Sequence, residues 1–328
     1  MRVWLISLAL AVSAGCTTRV PLATGYNGPT IRPPSVTAPE SQTGAPPLIT
    51  NAEQGNDRAG FTVRHLSLAS AADSQRSIDF EYYDVDGDDR TPVVVLLPIF
   101  NGQLIVTHFF ARYFANQGWA AVVVNRGYDA LDGLDAPEET IRANLRDYQR
   151  ILDWAEEEPE IDAARIGLFG ISFGAMDAVM LTALDDRIDA LVVAMAGGDL
   201  PYVMMNTRYR PVARTIDDLL ADQGMSREAL RANLVERIVT DPLALAPYVD
   251  AEKVLMIMTR TDVIVPFAAQ EALRISMGSP ETLYLPTGHR SSVLFFPRLR
   301  SSAYEFFARQ FAAEQLAVDR ALTGGSAR

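Results

Sequence analysis

The chain has 328 residues, 48% hydrophobic and 21% charged, which is ample apolar material for one large core or two small ones. Acidic side chains outnumber basic ones 41 to 29, the formal net charge is −12, and Lys253 is the only lysine. Without a basic stripe to neutralise phosphates the composition speaks against a nucleic-acid partner, and the acidic balance reads as a solvated surface.

Met1 and Arg2 supply a short positive region, Val3 to Val12 an apolar run, and Ser13-Ala14-Gly15 a small-residue cleavage site. Ten apolar residues are about half of what a bilayer span needs, so residues 1–15 are predicted to be a signal peptide rather than a membrane helix. The stretch Val12-Ser13-Ala14-Gly15-Cys16 resembles a bacterial lipobox, which implies that Cys16 is lipidated and becomes the mature first residue. Cys16 is the only cysteine, so an exported form can make no intrachain disulfide; a chance cysteine near an ordinary cleavage site is the plainer alternative. Several acyl chains anchor stably where one does not, so the resemblance implies an envelope protein held to a membrane by lipid. Residues 16–59 then read as the lipidated Cys and a disordered linker, because seven prolines are interspersed with Thr, Ser, Gly and Asn.

From residue 60 to about 317, strand-like runs alternate with amphipathic helices, the pattern of a mostly parallel, doubly wound α/β sheet. Phe61 to Leu68 and Ser77 to Tyr83 are predicted as an opening hairpin-like pair. Val93 to Leu97 and Ala120 to Val124 are continuous apolar runs suited to strands buried on both faces. A helix is predicted between them, closed by Gly118. Pro137 fits the first turn of the next helix, with Glu138 and Glu139 at the positive end of its dipole. Ile141, Leu145, Tyr148 and Leu152 give that helix a buried stripe.

Further strands are predicted at Ile166 to Phe169, Ala190 to Met195, Val254 to Met258 and Thr282 to Leu285, with an all-apolar helix from Phe173 to Leu184. The last helix is expected over Leu294 to Leu316, before a flexible tail at 318–328. Residues 198–250, between the sixth and seventh predicted strands, show helical patterns and no strand. They are either a small helical insertion over a site or a longer crossover that only covers the sheet.

Gly170-Ile171-Ser172-Phe173-Gly174 is a G-x-S-x-G pentapeptide set between a buried strand and a buried helix, as a nucleophile elbow requires. Such a turn projects the Ser172 hydroxyl at a helix N-terminus, where developing negative charge is favoured. A serine hydroxyl needs a base. Of the three histidines, His65 and His108 precede Ser172, so the order Ser, acid, His leaves His289, just after the last predicted strand. The acid that orients it is Asp262, at the end of the preceding strand, or Asp199, one strand earlier. Asp129 and Asp132 read as loop-capping residues. No metal cluster or phosphate-binding loop is visible, and no cofactor is expected.

Taken together, Val93 to Gly102, Gly170 to Ala175, Asp262 to Pro266 and Gly288-His289 resemble the α/β-hydrolase superfamily, in the style of its dienelactone-hydrolase and esterase-like branches. The resemblance spans about residues 60 to 316. It implies an oxyanion hole made by the N–H of Phe173 and one from the loop after the third strand, here Phe100 or Ile99; where many members have His-Gly, this chain has Pro98-Ile99. The expected activity is serine hydrolysis of a small-molecule or lipid-like carboxylic ester. A thioesterase or peptidase would use the same triad, and a non-catalytic envelope binding protein is the reading from another class.

Overall fold

The structure, a computed structural model, describes residues 17–33, 35–37, 49–54, 60–73, 75–87, 89–100, 104–125 and 133–324. The expected signal peptide (1–15), Cys16, Asn101, Gly102, Asp129, Asp132 and residues 325–328 lie outside the described residues.

Among the described residues, ten strands form one sheet: β1 (Thr18–Val20), β2 (Ile49–Gln54), β3 (Phe61–Ala69), β4 (Ser77–Val85), β5 (Thr91–Leu97), β6 (Ala120–Val124), β7 (Ile161–Ile171), β8 (Ala190–Ala194), β9 (Val254–Thr259) and β10 (Glu281–Leu285). Their spatial order is β1-β10-β9-β8-β7-β5-β6-β4-β3-β2. The six strands from β10 to β6 run parallel; β4, β3, β2 and β1 are antiparallel to their neighbours. The sheet is therefore mostly parallel, and its parallel centre is the apolar part. Val93 to Leu97 are all at most 1% exposed, and β6 and β9 are fully buried as well. Each Val, Leu, Ile or Met among them contributes roughly 1.5–3 kcal/mol relative to exposure.

Helices cover both faces. The helix α1 (Leu104–Asn116) ends at Gly118, whose φ of +83° lies in the left-handed region that glycine adopts without strain. α2 (Ala136–Glu157) begins with Pro137 in its first turn and buries Ile141, Leu145, Tyr148 and Leu152, the stripe expected from their spacing. α3 (Phe173–Leu184) is buried nearly all round against β7 and β8.

Between β8 and β9 come α4 (Leu200–Asn206), α5 (Arg210–Gln223), α6 (Arg227–Arg237) and α7 (Pro242–Leu245), followed after β9 by α8 (Phe267–Ser276). The insertion thus falls after the eighth strand, because β1 and β2 precede the six strands counted from the sequence. The closing helix α9 runs Phe296–Gly324, after a 3-10 turn at Arg290–Phe295. It therefore continues through most of the segment expected to be a flexible tail.

The described residues of the Pro-rich segment, 17–33, 35–37 and 49–54, depart from the expected disorder. β1 pairs antiparallel with β10, Thr18 opposite Tyr284, and β2 pairs with β3. Between them the chain is fastened to the domain: Tyr26 Oη donates to Asp250 (3.1 Å) and accepts from Ala251 N (2.8 Å), Thr30 N donates to Pro247 O, and Arg32 Nη1 donates to Ala183 O at 2.7 Å. Composition misses this because backbone hydrogen bonds to an open sheet edge need no apolar side chains. Since β1 is antiparallel to β10, its first residue lies at the C-terminal end of the parallel strands.

Candidate active site

The ends of β7, β8, β9 and β10 converge on one edge of the sheet, the edge where doubly wound sheets place their sites. Ser172 sits between β7 and α3 at φ 59°, ψ −121°, a conformation that side-chain-bearing residues rarely adopt. Its N–H is held by Ala194 O at 2.8 Å, across to β8. The flanking glycines are required by contact. A Cβ on Gly170 would collide with Gly174 O, and one on Gly174 would lie 2.7 Å from both Leu97 O and Pro98 O. The same close approach brings the loop after β5 against the elbow. Phe100 consequently meets the Phe173 ring edge-on, with centroids 5.5 Å apart, and the Tyr209 ring in the same way at 5.7 Å.

His289 follows β10 and starts the 3-10 turn; Ser292 Oγ donates to its carbonyl at 2.6 Å. Its Nδ1 lies 2.9 Å from Asp262 Oδ2, and the Asp262 side chain is wholly buried. That carboxylate also accepts from Ile264 N (2.8 Å), Val265 N (3.0 Å), Thr259 Oγ1 (2.7 Å) and Gln270 Nε2 (3.1 Å). A buried charge is tolerable only with such a set of donors. The loops after β9 and β10 are further tied by Arg260 N to Leu285 O and Thr261 N to Thr287 O, both 3.1 Å.

Asp199, the other acid considered from sequence, is used elsewhere. It adopts φ 55°, accepts from Tyr202 N to cap α4, and pairs with Arg231 at 3.1 Å. Behind it, Asp241 accepts from Asp199 N, Leu200 N and Leu243 N and so fixes the root of the insertion; burial pushes its carboxyl above the ordinary range despite those donors.

Ser172 and His289 line one cavity of about 470 Å³, together with Ile99, Met195, Val293 and Phe296. Ser172 also opens onto a second chamber of about 90 Å³ beneath the insertion, walled by Met176, Leu200, Val203, Met204 and Val212. Residues 198–250 therefore reach over Ser172 and do more than cover the sheet. They are joined to the loop carrying Asp262 by Thr207 Oγ1 to Ile264 O (2.7 Å) and Arg208 N to Val263 O (2.8 Å).

Sequence reasoning missed Thr259, Gln270 and Met195. Gln270 is fully buried on α8 between Ala269 and Leu273, and a polar residue interrupting that apolar face was the available signal. Met195 takes φ 57° beside the elbow, which the sequence does not announce. Among the described residues no cluster of His, Cys, Asp or Glu could hold a metal ion, and no helix is long and apolar enough to cross a membrane.

The model of the S15 family, described as X-Pro dipeptidyl-peptidase, matches residues 34–273, which take in the elbow and Asp262 and stop short of His289. The chain belongs to the S15 family. It is an α/β-hydrolase of serine-hydrolase type, consistent with the sheet and the resemblance drawn from its motifs. An acetyl xylan esterase from Paenibacillus sp. R4 has the same fold, with a TM-score of 0.62 and 17% identity over 77% of this chain and 89% of that one. The Pyrococcus horikoshii acylaminoacyl peptidase superposes with a TM-score of 0.59 at 20% identity, over 79% of this chain and 44% of that one. By sequence, the thiohydrolase of Arthrinium phaeospermum is 31% identical over 115 residues, 34% of this chain and 37% of the relative. The chain spans about 40% of the length of the curated relatives it matches.

Proposed function

We propose that this S15-family hydrolase cleaves carboxylic esters through an acyl-enzyme, with Ser172 as nucleophile, His289 as base and then acid, and Asp262 orienting His289. The observation that carries the reading is that His289, held from behind by Asp262, and the strained Ser172 elbow line one cavity. With Nδ1–H of His289 engaged by Asp262, Nε2 is the ring atom left to take the Ser172 proton. Ser172 Oγ bonds the carbonyl carbon, and the N–H groups of Phe173 and Phe100 stabilise the resulting oxyanion, each such donor being worth about 3 kcal/mol of barrier. Collapse expels the alcohol, which takes the proton from His289. Water, activated by the same imidazole, then releases the acid.

The test is labelling by a fluorophosphonate probe, with Ser172→Ala as control, followed by nitrophenyl esters, a thioester and an X-Pro dipeptide amide. Stoichiometric labelling at Ser172 with ester turnover is expected. An intact, folded protein that takes no label overturns the reading.

The leader and Cys16 support a second part of the proposal: an exported enzyme lipid-anchored in the cell envelope. Only Thr17 separates Cys16 from β1, so such an anchor would hold the domain close, without a long tether, near the sheet edge that carries His289. Metabolic labelling with a fatty acid, lost in Cys16→Ser, tests it.

A further inference from the structure

The two chambers at Ser172 differ in size, and only one of them contains His289. We infer that the narrow chamber under the insertion holds the acyl group and the wide one the leaving group, so the substrates are esters of short, apolar acids with bulky alcohols. The inference rests on the serine-hydrolase reading above and goes further by assigning the two halves of the substrate.

The assignment follows from where the proton must go. When the tetrahedral adduct collapses, the carbon–oxygen bond to the leaving group breaks and its electron pair stays on that oxygen. The oxygen then takes the proton that His289 removed from Ser172. Transfer requires the leaving oxygen within hydrogen-bond reach of His289 Nε2. The alcohol must therefore lie on the side that His289 lines, with Ile99, Met195, Val293 and Phe296 around it. The acyl substituent, fixed at the same carbon, points the other way, toward Met176, Val203, Met204 and Val212.

Volume then sets the chain length. An apolar cavity of about 150 Å³ accepts a benzene ring. A chamber of about 90 Å³ takes less than that, an acid of a few carbons. At about 470 Å³, the wide side accommodates an alcohol of several rings' size. Departure of that alcohol also empties the wide chamber for the deacylating water, next to the imidazole that activates it.

Two orthogonal ester series test the assignment. One keeps nitrophenol and lengthens the acid from acetate through butyrate to octanoate; the other keeps acetate and enlarges an unactivated alcohol from methyl to naphthylmethyl. A fall in kcat/KM of at least tenfold from butyrate to octanoate is expected, with no fall from methyl to naphthylmethyl. Met204→Ala should raise the octanoate-to-butyrate ratio at least tenfold, and Val293→Trp should lower the naphthylmethyl-to-methyl ratio without moving the first. Fluorophosphonate labelling of each variant reports that the site is intact. Octanoate turned over as well as butyrate by a labelled wild-type enzyme overturns the assignment while leaving the hydrolase reading in place. So does a naphthylmethyl ester turned over at least tenfold worse than the methyl ester. Absence of labelling in the wild type overturns both.

Discussion

Asp262 Oδ2 lies 2.9 Å from His289 Nδ1, and the same oxygen is shared by Thr259 Oγ1 and Gln270 Nε2. The carboxylate is thus clamped on the side away from the cavity while it orients the imidazole on the other. Asp262→Asn keeps the shape but places an amide where acceptor oxygens are needed. A loss of about 10⁴-fold in kcat is expected from misorientation of the ring and the wrong tautomer. Asp199→Asn is the matched control: an asparagine tolerates φ near +55°, can still cap α4, and gives up only an exposed ion pair worth at most about 1 kcal/mol. Ester kinetics on the two variants should separate them by three orders of magnitude or more. Equal losses would show that Asp199 supplies the acid.

Gln270 touches neither cavity, yet it accepts from Thr259 N through Oε1 and donates to Asp262 and to Val265 O. Gln270→Leu fills the volume, removes the partner Gln270 supplies to Thr259 N and Val265 O, and takes one donor from Asp262, at a cost of roughly 1–3 kcal/mol for each group left unpaired. The expected result is a lower melting temperature together with a reduced kcat at little-changed KM. A purely structural role would lower the melting temperature and leave kcat per labelled site untouched.

Gly170→Ala tests the elbow. The clash is with the backbone of Gly174 and Ala175, so no side chain can swing away. Displacement of the turn should destabilise the protein by about 1–3 kcal/mol and abolish most fluorophosphonate labelling. Denaturant titration and active-site counting measure the two effects separately.

Asp189 contributes to the pH dependence of stability. Burial raises its carboxyl from 3.8 to about 6, although Ile166 N donates to it and Lys253 lies near. A folded pKa above the unfolded one means that the native state binds more protons between these values, so this group's contribution to stability falls as pH rises from about 4 to about 6. Above pH 6 the penalty is constant. Asp189→Asn retains an acceptor for Ile166 N and should raise the melting temperature at pH 7 while leaving it nearly unchanged at pH 4. A larger gain at pH 4 would contradict the sign.

Tyr26 reports whether the N-terminal strap is part of the domain. Its ring lies over Gly278, where an added Cβ would fall 2.5 Å from it, and its hydroxyl bridges Asp250 and Ala251. Tyr26→Ala should cost about 1–3 kcal/mol through lost packing and the orphaned Ala251 N–H. It should also speed proteolysis between residues 20 and 36. An unchanged melting temperature would return the segment to the status of a linker.

The sequence by itself determined the parallel centre of the sheet, the elbow at Ser172 and the order in which Ser172, Asp262 and His289 follow one another. These are local facts: short, β-branched apolar runs such as Val93 to Leu97 suit doubly buried strands, and a tight strand-to-helix turn needs glycines at 170 and 174. Which acid meets His289 was decided by the tertiary structure, since Asp199 and Asp262 both follow strands and only the crossing of the loops after β9 and β10 brings one of them to the ring. The Pro-rich segment followed the same logic. Its composition has little to bury, and its residues 17–33 are ordered by an open edge on β10 and by carbonyls more than a hundred residues away. The two unequal chambers at Ser172 were likewise invisible beforehand, because a cavity is the space that distant elements leave between them, and residue spacing along one chain does not encode it.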